Sequence, residues 1–83
     1  MDDDRPIPMT ATAAAEALGR APGTIYSWAT RYRVRKWRQD GRTLFDYRDL
    51  ATIDGCIYRG VPVPPTPEER DRLRAQRRRT LAA

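Results

Sequence analysis

The stretch between Ala21 and Tyr32 constrains this chain more than any other part of the sequence. Four apolar side chains repeat there at i, i+3, i+4 and i+7, the spacing of one face of an amphipathic helix. These four are Ile25, Trp28, Ala29 and Tyr32. Pro22 suits the first helical turn, where its missing N–H costs nothing. The sequence therefore predicts a short helix that buries one face against the rest of the chain.

The opposite face of this predicted helix carries small, hydroxylated and basic side chains. They are Gly23, Ser27, Thr30 and Arg31, with Thr24 and Tyr26 at the edges of the face. Side chains of these types contact base edges and phosphates in the grooves of DNA. A surface helix that only packs on a core would show the same pattern. The choice between a DNA-binding helix and such a surface helix therefore depends on the neighbouring segments.

The charge of the chain favours an anionic partner, usually a nucleic acid. The net charge is +5 over 83 residues. Residues 9–60 hold nine cations and five acids, residues 61–83 hold six cations and three acids, and residues 1–8 hold one cation and three acids. Every cation except Lys36 is an arginine, the better bidentate ligand for phosphate and guanine, although a GC-rich genome would give the same bias.

Composition also excludes several classes of function. The chain has no histidine and a single cysteine, Cys56, so Cys/His zinc sites, histidine acid–base catalysis and an internal disulfide are ruled out. A chain this short has little room for a catalytic cleft, and we expect neither an enzyme nor a cofactor or small-molecule ligand. No apolar run approaches a membrane span and the N-terminus is acidic, which predicts a soluble protein of a bacterial cytoplasm or a phage-infected cell, associated with the nucleoid.

The segment before the central helix is predicted to be a helix of its own. Thr10 or Thr12 is a plausible N-cap, and the helix should run to about Leu18 and end at Gly19. Its inner face is small, so a second helix can approach closely. That face consists of Ala11, Ala14, Ala15 and Leu18. A helix, a tight glycine turn and a second helix with a tryptophan anchor is the layout of a helix-turn-helix.

A β-hairpin is predicted after Tyr32. Asp40-Gly41 separates two runs of β-type residues, and both central residues of a type I′ turn need a positive φ. A two-residue turn would pair Trp37 with Leu44 and Lys36 with Phe45. Both faces then carry an apolar residue, so the inward face stays open. Five cations crowd this hairpin, more than an edge protected against aggregation requires. They are Arg33, Arg35, Lys36, Arg38 and Arg42.

A third helix is predicted to begin near Asp46, with Asp46 as its N-cap and Asp49 as the acidic residue of the first turn. Leu50, Ile53 and Ile57 are expected to close the core against Trp28 and Ala15. Gly60 ends this helix.

Three further segments flank the predicted domain of residues 9–60. Residues 1–8 are expected to be a disordered acidic arm, and residues 61–67 a proline-rich linker that acts as a spacer or as a strap along the surface. Residues 68–83 are expected to be a basic C-terminal helix or tail, which begins well with Thr66, Pro67 and Glu69. Leu73 and Leu81 are too few for independent docking, so this tail should attract phosphate, contact nothing, or bind a partner.

The order of these parts resembles the MerR-like and excisionase-type winged helix-turn-helix DNA-binding domains. The resemblance covers residues 9–60 and lies in five features of the sequence. They are Thr12–Leu18, Gly19, Pro22–Trp28, the wing Arg38–Thr43, and Asp49-Leu50. The predicted fold is therefore mostly α with a small β-hairpin, a winged helix-turn-helix with a basic helical tail. The sequence shows neither the long coiled coil nor the effector domain of full MerR regulators, so we expect a stand-alone module.

The resemblance implies a recognition helix in the major groove and a wing on the adjacent minor groove or the DNA backbone. It places Thr24, Tyr26, Ser27, Thr30 and Arg31 at the major groove, and Arg38 and Arg42 on the wing. With the hairpin cations, the complete set of candidate DNA-binding residues is Thr24, Tyr26, Ser27, Thr30, Arg31, Arg33, Arg35, Lys36, Arg38 and Arg42. No residue is a candidate catalytic group or metal ligand.

The expected partner is double-stranded DNA, with an integrase or further copies of the chain as additional partners on that DNA. An excisionase, which bends DNA for recombination, and a small transcriptional regulator fit the sequence equally well. The alternative is a protein–protein adapter that uses the winged fold, such as a terminase small subunit or an anti-repressor. A large exposed apolar patch in place of the basic residues would favour that adapter.

Overall fold

The computed structural model describes residues 5–82, which form four helices and a three-stranded antiparallel sheet. In chain order the elements are β1 (Pro8–Met9), α1 (Ala11–Leu18), α2 (Pro22–Arg31), β2 (Lys36–Gln39), β3 (Arg42–Asp46), α3 (Tyr47–Arg59) and α4 (Pro67–Ala82). The central strand is β3, with β1 and β2 on its two sides. The prediction of a mostly helical fold with a small β-hairpin is confirmed as far as the type and order of these elements are concerned. Within residues 5–82 no helix is long and apolar enough to cross a membrane.

Helices α1 and α2 form the predicted helix–turn–helix pair. The Thr10 hydroxyl accepts a hydrogen bond from the Ala13 N–H at 3.2 Å, and Gly19 ends α1 with a left-handed φ of 68°. Ala14 and Ala15 are buried, so α2 packs close to α1. Helix α2 has no side-chain cap at Ala21 and begins on proline.

The apolar face of α2 is buried as its spacing predicts. Ile25 is fully buried and Trp28 is 7% exposed. The guanidinium of Arg20 lies 5.5 Å from the centre of the Trp28 ring and also contacts Asp54 of α3 at 2.7 Å. The turn between α1 and α2 is thereby attached to α3.

The hairpin between β2 and β3 has the predicted turn and register. Asp40 and Gly41 have φ values of 53° and 76°, Trp37 pairs with Leu44, and Lys36 pairs with Phe45. The open question of its inward face is answered by Phe45, which is only 2% exposed and packs into the core. Residues opposite each other in a sheet share a face.

The strand alternation divides the hairpin side chains between two faces. The face of Phe45 also carries Lys36, Arg38 and Thr43, while the other face carries Trp37, Leu44, Gln39 and Arg42. Arg38 therefore lies on the same side of the hairpin as the core and α2, and Arg42 lies on the opposite side.

The expected disordered arm is wrong for the last residues of the 1–8 segment. Pro8 pairs with Asp46, the Ile7 carbonyl accepts from the Tyr47 N–H at 2.8 Å, and the Ile7 N–H donates to Asp46 Oδ1 at 3.2 Å. Proline is tolerated here because β1 is an edge strand. Residues 1–4 lie outside the described residues, so the prediction for them stays open.

Helix α3 starts as predicted and differs from the prediction in its buried face. The Asp46 carboxylate accepts from the Arg48 N–H at 3.0 Å, which caps the helix. Leu50, Ile53 and Cys56 are fully buried, whereas Ile57 is 40% exposed. Cys56, three residues after Ile53, takes the core position that was assigned to Ile57.

The expectation that α4 would not dock is wrong. The helix begins with the predicted cap, because the Thr66 hydroxyl accepts from the Glu69 N–H at 3.3 Å. Arg70 is completely buried against the domain, and Val63 of the preceding segment packs on the core. The prediction counted only large apolar side chains, and α4 docks mainly through polar ones. Residues 61–82 therefore belong to the same folded unit as residues 9–60.

Candidate nucleic-acid interface

The outward face of α2 presents the side chains that were predicted to meet DNA. Ser27, Thr30 and Arg31 are exposed, and Thr24 is half-buried near the start of the helix. Tyr26 is 57% exposed although it is aromatic. The face is thus polar and mostly small, which lets another surface approach the helix backbone closely.

Tyr26 joins α2 to the hairpin. Its ring meets the ring of Phe45 edge-on, with centroids 5.8 Å apart and planes at 82°. Because Phe45 is anchored in the core, this contact places the hairpin directly beside the exposed face of α2. Tyr26 then presents the rest of its ring to solvent at the junction of the two elements.

Two cations lie on the side of the hairpin that faces α2. The Arg38 guanidinium donates to the Thr43 hydroxyl at 3.1 Å and to the Gly41 carbonyl at 3.0 Å, which holds it near the hairpin tip. An arginine has five N–H donors, so these bonds leave donors free for an anion. Lys36 is exposed on the same face, and Arg42 is exposed on the other.

Arg33 lies where the chain turns from α2 into the hairpin. It is exposed and has a left-handed φ of 52°, an unfavourable conformation for a residue with a side chain. This turn connects the end of α2 to the start of β2 at Lys36. Arg31 and Arg33 therefore lie at the base of the hairpin, five and three residues before Lys36.

Arg35 is a correction to the predicted site, because it lies within an ion-pair cluster. Its backbone N–H donates to Asp49 Oδ2 at 3.1 Å, and its guanidinium donates to the two Asp71 oxygens at 3.1 and 2.6 Å. The hydrogen bond with Asp71 raises the pKa of Arg35 and lowers that of Asp71. Arg35 thus stabilises the fold instead of offering its charge to DNA.

The same cluster contains two completely buried aspartates, Asp46 and Asp49. Asp46 pairs with Arg48 at 2.9 Å, and Asp49 lies 3.3 Å from Nε of Arg70. The contact of Nε with Asp49 is an ion pair and not a hydrogen bond. Arg74 contacts Asp49 at 3.8 Å and also binds Asp71. Asp49 is the acidic residue of the first turn of α3, as predicted. It also lies within ion-pair distance of Arg35, Arg70 and Arg74, which was not predicted.

Arg70 uses the rest of its guanidinium on backbone carbonyls. Nη1 donates to the Tyr32 carbonyl at 2.8 Å and to the Pro64 carbonyl at 3.0 Å, and Nη2 donates to the Arg33 carbonyl at 3.3 Å. The Tyr32 and Arg33 carbonyls follow α2 directly, where helix C-terminal carbonyls need such donors, and the Pro64 carbonyl lies in the segment before α4. Sequence reasoning missed this role, because nothing in the local sequence distinguishes Arg70 from the other α4 arginines.

The cluster leaves the positive charge unevenly distributed. Three of the 11 acids lie in residues 1–4, so residues 5–82 hold eight acids against all 16 cations. The ion pairs of this part join Arg20, Arg35, Arg48, Arg70 and Arg74 to Asp46, Asp49, Asp54 and Asp71.

Five cations near α2 and the hairpin have no carboxylate partner within the described part of the chain. They are Arg31, Arg33, Lys36, Arg38 and Arg42. Together with Tyr26, Ser27 and Thr30 they form what we call the α2–hairpin surface, which extends around the hairpin to Arg42 on its opposite face. A comparison of the chain with models of protein families, with curated proteins and with solved structures finds no match. The chemistry of this surface therefore carries the inference of function.

Proposed function

We propose that this protein binds double-stranded DNA in a sequence-specific manner, with α2 in the major groove and the hairpin as a wing on the adjacent minor groove or backbone. The observation that carries the proposal is the set of five cations on the α2–hairpin surface that have no carboxylate partner within residues 5–82. Four of the eight acids in residues 5–82, namely Asp46, Asp49, Asp54 and Asp71, pair with arginines that stabilise the fold. A surface with this charge attracts phosphates.

The shape of α2 supports this mode of binding. Its ten residues span about 15 Å at 1.5 Å per residue, and a B-DNA major groove of about 12 Å admits a helix. Gly23 and Ser27 add little bulk on the exposed side, so the backbone can lie deep in the groove.

The residues of the surface divide by the chemistry they offer. Arg31 can donate two hydrogen bonds to a guanine, and the hydroxyls of Ser27 and Thr30 can bond to base edges. Arg38, Arg42 and Lys36 fit phosphate contacts, which position the protein without reading sequence. Tyr26 at the junction can pack against a thymine methyl group or a sugar.

Two biological roles fit this proposal. An excisionase would bind neighbouring sites in several copies and bend the DNA for an integrase, whereas a small transcriptional regulator would occupy an operator. Both are proposed on the resemblance to MerR-like and excisionase-type winged helix-turn-helix domains, and both use the same surface.

The protein–protein adapter is less well supported by the positions of the exposed apolar residues. On α2 the exposed large apolar side chain is Tyr26, among polar and basic neighbours. Ile57, Tyr58 and Val61 are exposed at the end of α3 and just beyond it, and none of them belongs to the α2–hairpin surface. The predicted signature of an adapter, an apolar patch in place of the basic residues, is thus absent from this surface in the described residues.

The proposal is tested by selecting duplexes from a randomised DNA library with the full chain, followed by fluorescence anisotropy on the selected and a scrambled duplex. The Ser27→Ala and Arg31→Ala variants should lose about 1–3 kcal/mol of discrimination between the two duplexes and remain folded. Arg72→Ala, an exposed arginine of α4, is the matched control and should keep the discrimination. Enrichment of no sequence, or equal loss on both duplexes, would contradict base reading by α2.

A further inference from the structure

A second basic surface lies between the segment before β1, α3 and α4. It is a groove of about 370 Å³ whose floor includes Ile7, Tyr47, Ala51 and Gly55. Four arginines surround the groove, and no acid among residues 5–82 lines it. These arginines are Arg48, Arg59, Arg74 and Arg77. We call it the α3–α4 groove, and the proposed DNA contacts do not use it.

The α3–α4 groove faces away from α2. Leu50 and Ile53 point from α3 into the core, which α2 shares. Ala51, Gly55 and Arg59 follow each other at four-residue intervals on the outer side of the same helix. The width of α3, about 10 Å with its side chains, therefore separates the groove from the helix proposed to read DNA.

Two of the four arginines have charge to offer a ligand. Arg48 pairs with Asp46, and Arg74 binds Asp71 and contacts Asp49. Arg59 and Arg77 have no carboxylate partner within residues 5–82. The rim of the groove thus carries two positive charges that the described part of the chain does not neutralise.

Gly55 is an unexpected residue on the groove floor. A glycine inside a helix costs about 0.5–1 kcal/mol relative to alanine. The three atoms nearest to a Cβ at Gly55 would all belong to the flexible end of Arg59, with Nη1 at 3.4 Å, so close packing against the backbone does not demand glycine. Its effect is to let the Arg59 guanidinium lie close to the helix backbone on the groove floor.

We propose that the α3–α4 groove binds an acidic segment of a protein partner. Carboxylates of that segment would pair with Arg59 and Arg77, and an adjoining apolar side chain would cover Ile7, Tyr47 and Ala51. A DNA backbone would satisfy the arginines and leave the apolar floor uncovered, whereas an acidic peptide with an apolar side chain matches both parts of the groove.

The test uses the full chain and a fluorescein-labelled 12-residue probe peptide in which glutamates flank a central Leu-Trp pair. Anisotropy measures affinity, and amide NMR shifts locate the probe, with the Gly55 amide as a reporter on the groove floor. A second peptide with glutamine in place of glutamate serves as the charge control. The proposal expects binding of the acidic probe, much weaker binding of the glutamine peptide, and shifts around Tyr47, Ala51 and Gly55.

Two sets of variants then separate this groove from general charge attraction. Arg59→Gln with Arg77→Gln should weaken probe binding about 5- to 30-fold, as expected for two exposed ion pairs. Arg72→Gln with Arg79→Gln removes the same charge from exposed positions of α4 and should change the affinity for the probe less than two-fold. Equal losses in the two sets, or NMR shifts confined to α2 and the hairpin, would overturn the proposal.

A third variant tests the glycine on the groove floor without changing charge. Gly55→Leu adds a side chain beneath Arg59 and should weaken the acidic probe at least five-fold while the circular dichroism spectrum stays helical. DNA binding provides the last control. If Arg59→Gln with Arg77→Gln weakens duplex binding and leaves the probe unaffected, the groove belongs to a nucleic-acid surface and the proposal is wrong.

Discussion

Arg70 is the residue on which the docking of α4 depends, and Arg70→Met tests that dependence. Methionine keeps much of the apolar stem and removes the guanidinium. The variant loses three hydrogen bonds, to the carbonyls of Tyr32, Arg33 and Pro64, and the ion pair with Asp49. Those carbonyls belong to the end of α2, the base of the hairpin and the segment before α4, so one substitution affects all three.

The size of the loss follows from what remains around the buried Asp49. Breaking a buried ion pair by removing one partner costs roughly 3–5 kcal/mol. Asp49 retains Arg35 at 3.4 Å and Arg74 at 3.8 Å, so its charge stays partly compensated and we expect the lower end, about 3 kcal/mol. For a domain of this size each kcal/mol shifts Tm by about 4–8 °C, which gives a decrease of about 12–24 °C.

Thermal and urea unfolding followed by circular dichroism measure this effect. Arg72→Met is the control, because Arg72 lies two residues along the same helix and is exposed. It should change the free energy of unfolding by less than about 0.5 kcal/mol. If Arg70→Met costs under 1 kcal/mol, or no more than Arg72→Met, then α4 is not held by its buried arginine and the argument is refuted.

Three further predictions follow from other parts of the fold. Trp28→Ala should cost about 3–5 kcal/mol in urea denaturation, because the ring is buried beside the α1–α2 turn, and a variant of wild-type stability would contradict the assigned core. Arg33→Gly should relieve the left-handed strain and raise the free energy of unfolding by up to about 1 kcal/mol, yet weaken DNA binding. If stability and DNA affinity both rise, or both fall, this assignment of Arg33 is wrong. The pKa of Asp71 is lowered by its hydrogen bond with Arg35, so its contribution is present above the unfolded pKa near 3.8 and is lost as pH falls through the folded value. Urea midpoints between pH 5 and 2 should therefore fall more steeply for the wild type than for Asp71→Asn, and identical slopes would rule out this pair as a source of acid sensitivity.

The elements that were predictable from sequence are those specified by local periodicity and turn chemistry. The apolar spacing in α2, the threonine cap of α1 and the Asp-Gly turn each depend on residues close together in the chain. The length of the turn predicted the register of the hairpin, but it did not predict which face of the hairpin packs against the core. Only the packing of Phe45 against the core, which involves distant residues, decides that face.

The elements that sequence reasoning missed are held by polar contacts between distant residues. Arg35 and Asp71 are 36 positions apart, and the Arg70 guanidinium reaches a carbonyl 38 positions away. Strand β1 escaped prediction because Pro6, Ile7 and Pro8 are typical of irregular chain, while its pairing depends on the free edge of β3. Such contacts leave no helical or strand periodicity in the sequence. The arginine-rich α4 was therefore predicted to be a tail that does not dock on the domain.

The central claim is that the five cations of the α2–hairpin surface bind DNA phosphates, and the salt dependence of binding tests it most directly. Anisotropy on a selected duplex across a salt series should give a log–log slope of about −4 or steeper, at about −0.9 per phosphate contact. Arg38→Ala with Arg42→Ala should make that slope shallower by about 2 units. Absence of binding at low salt, or an unchanged slope in the double variant, would contradict the account.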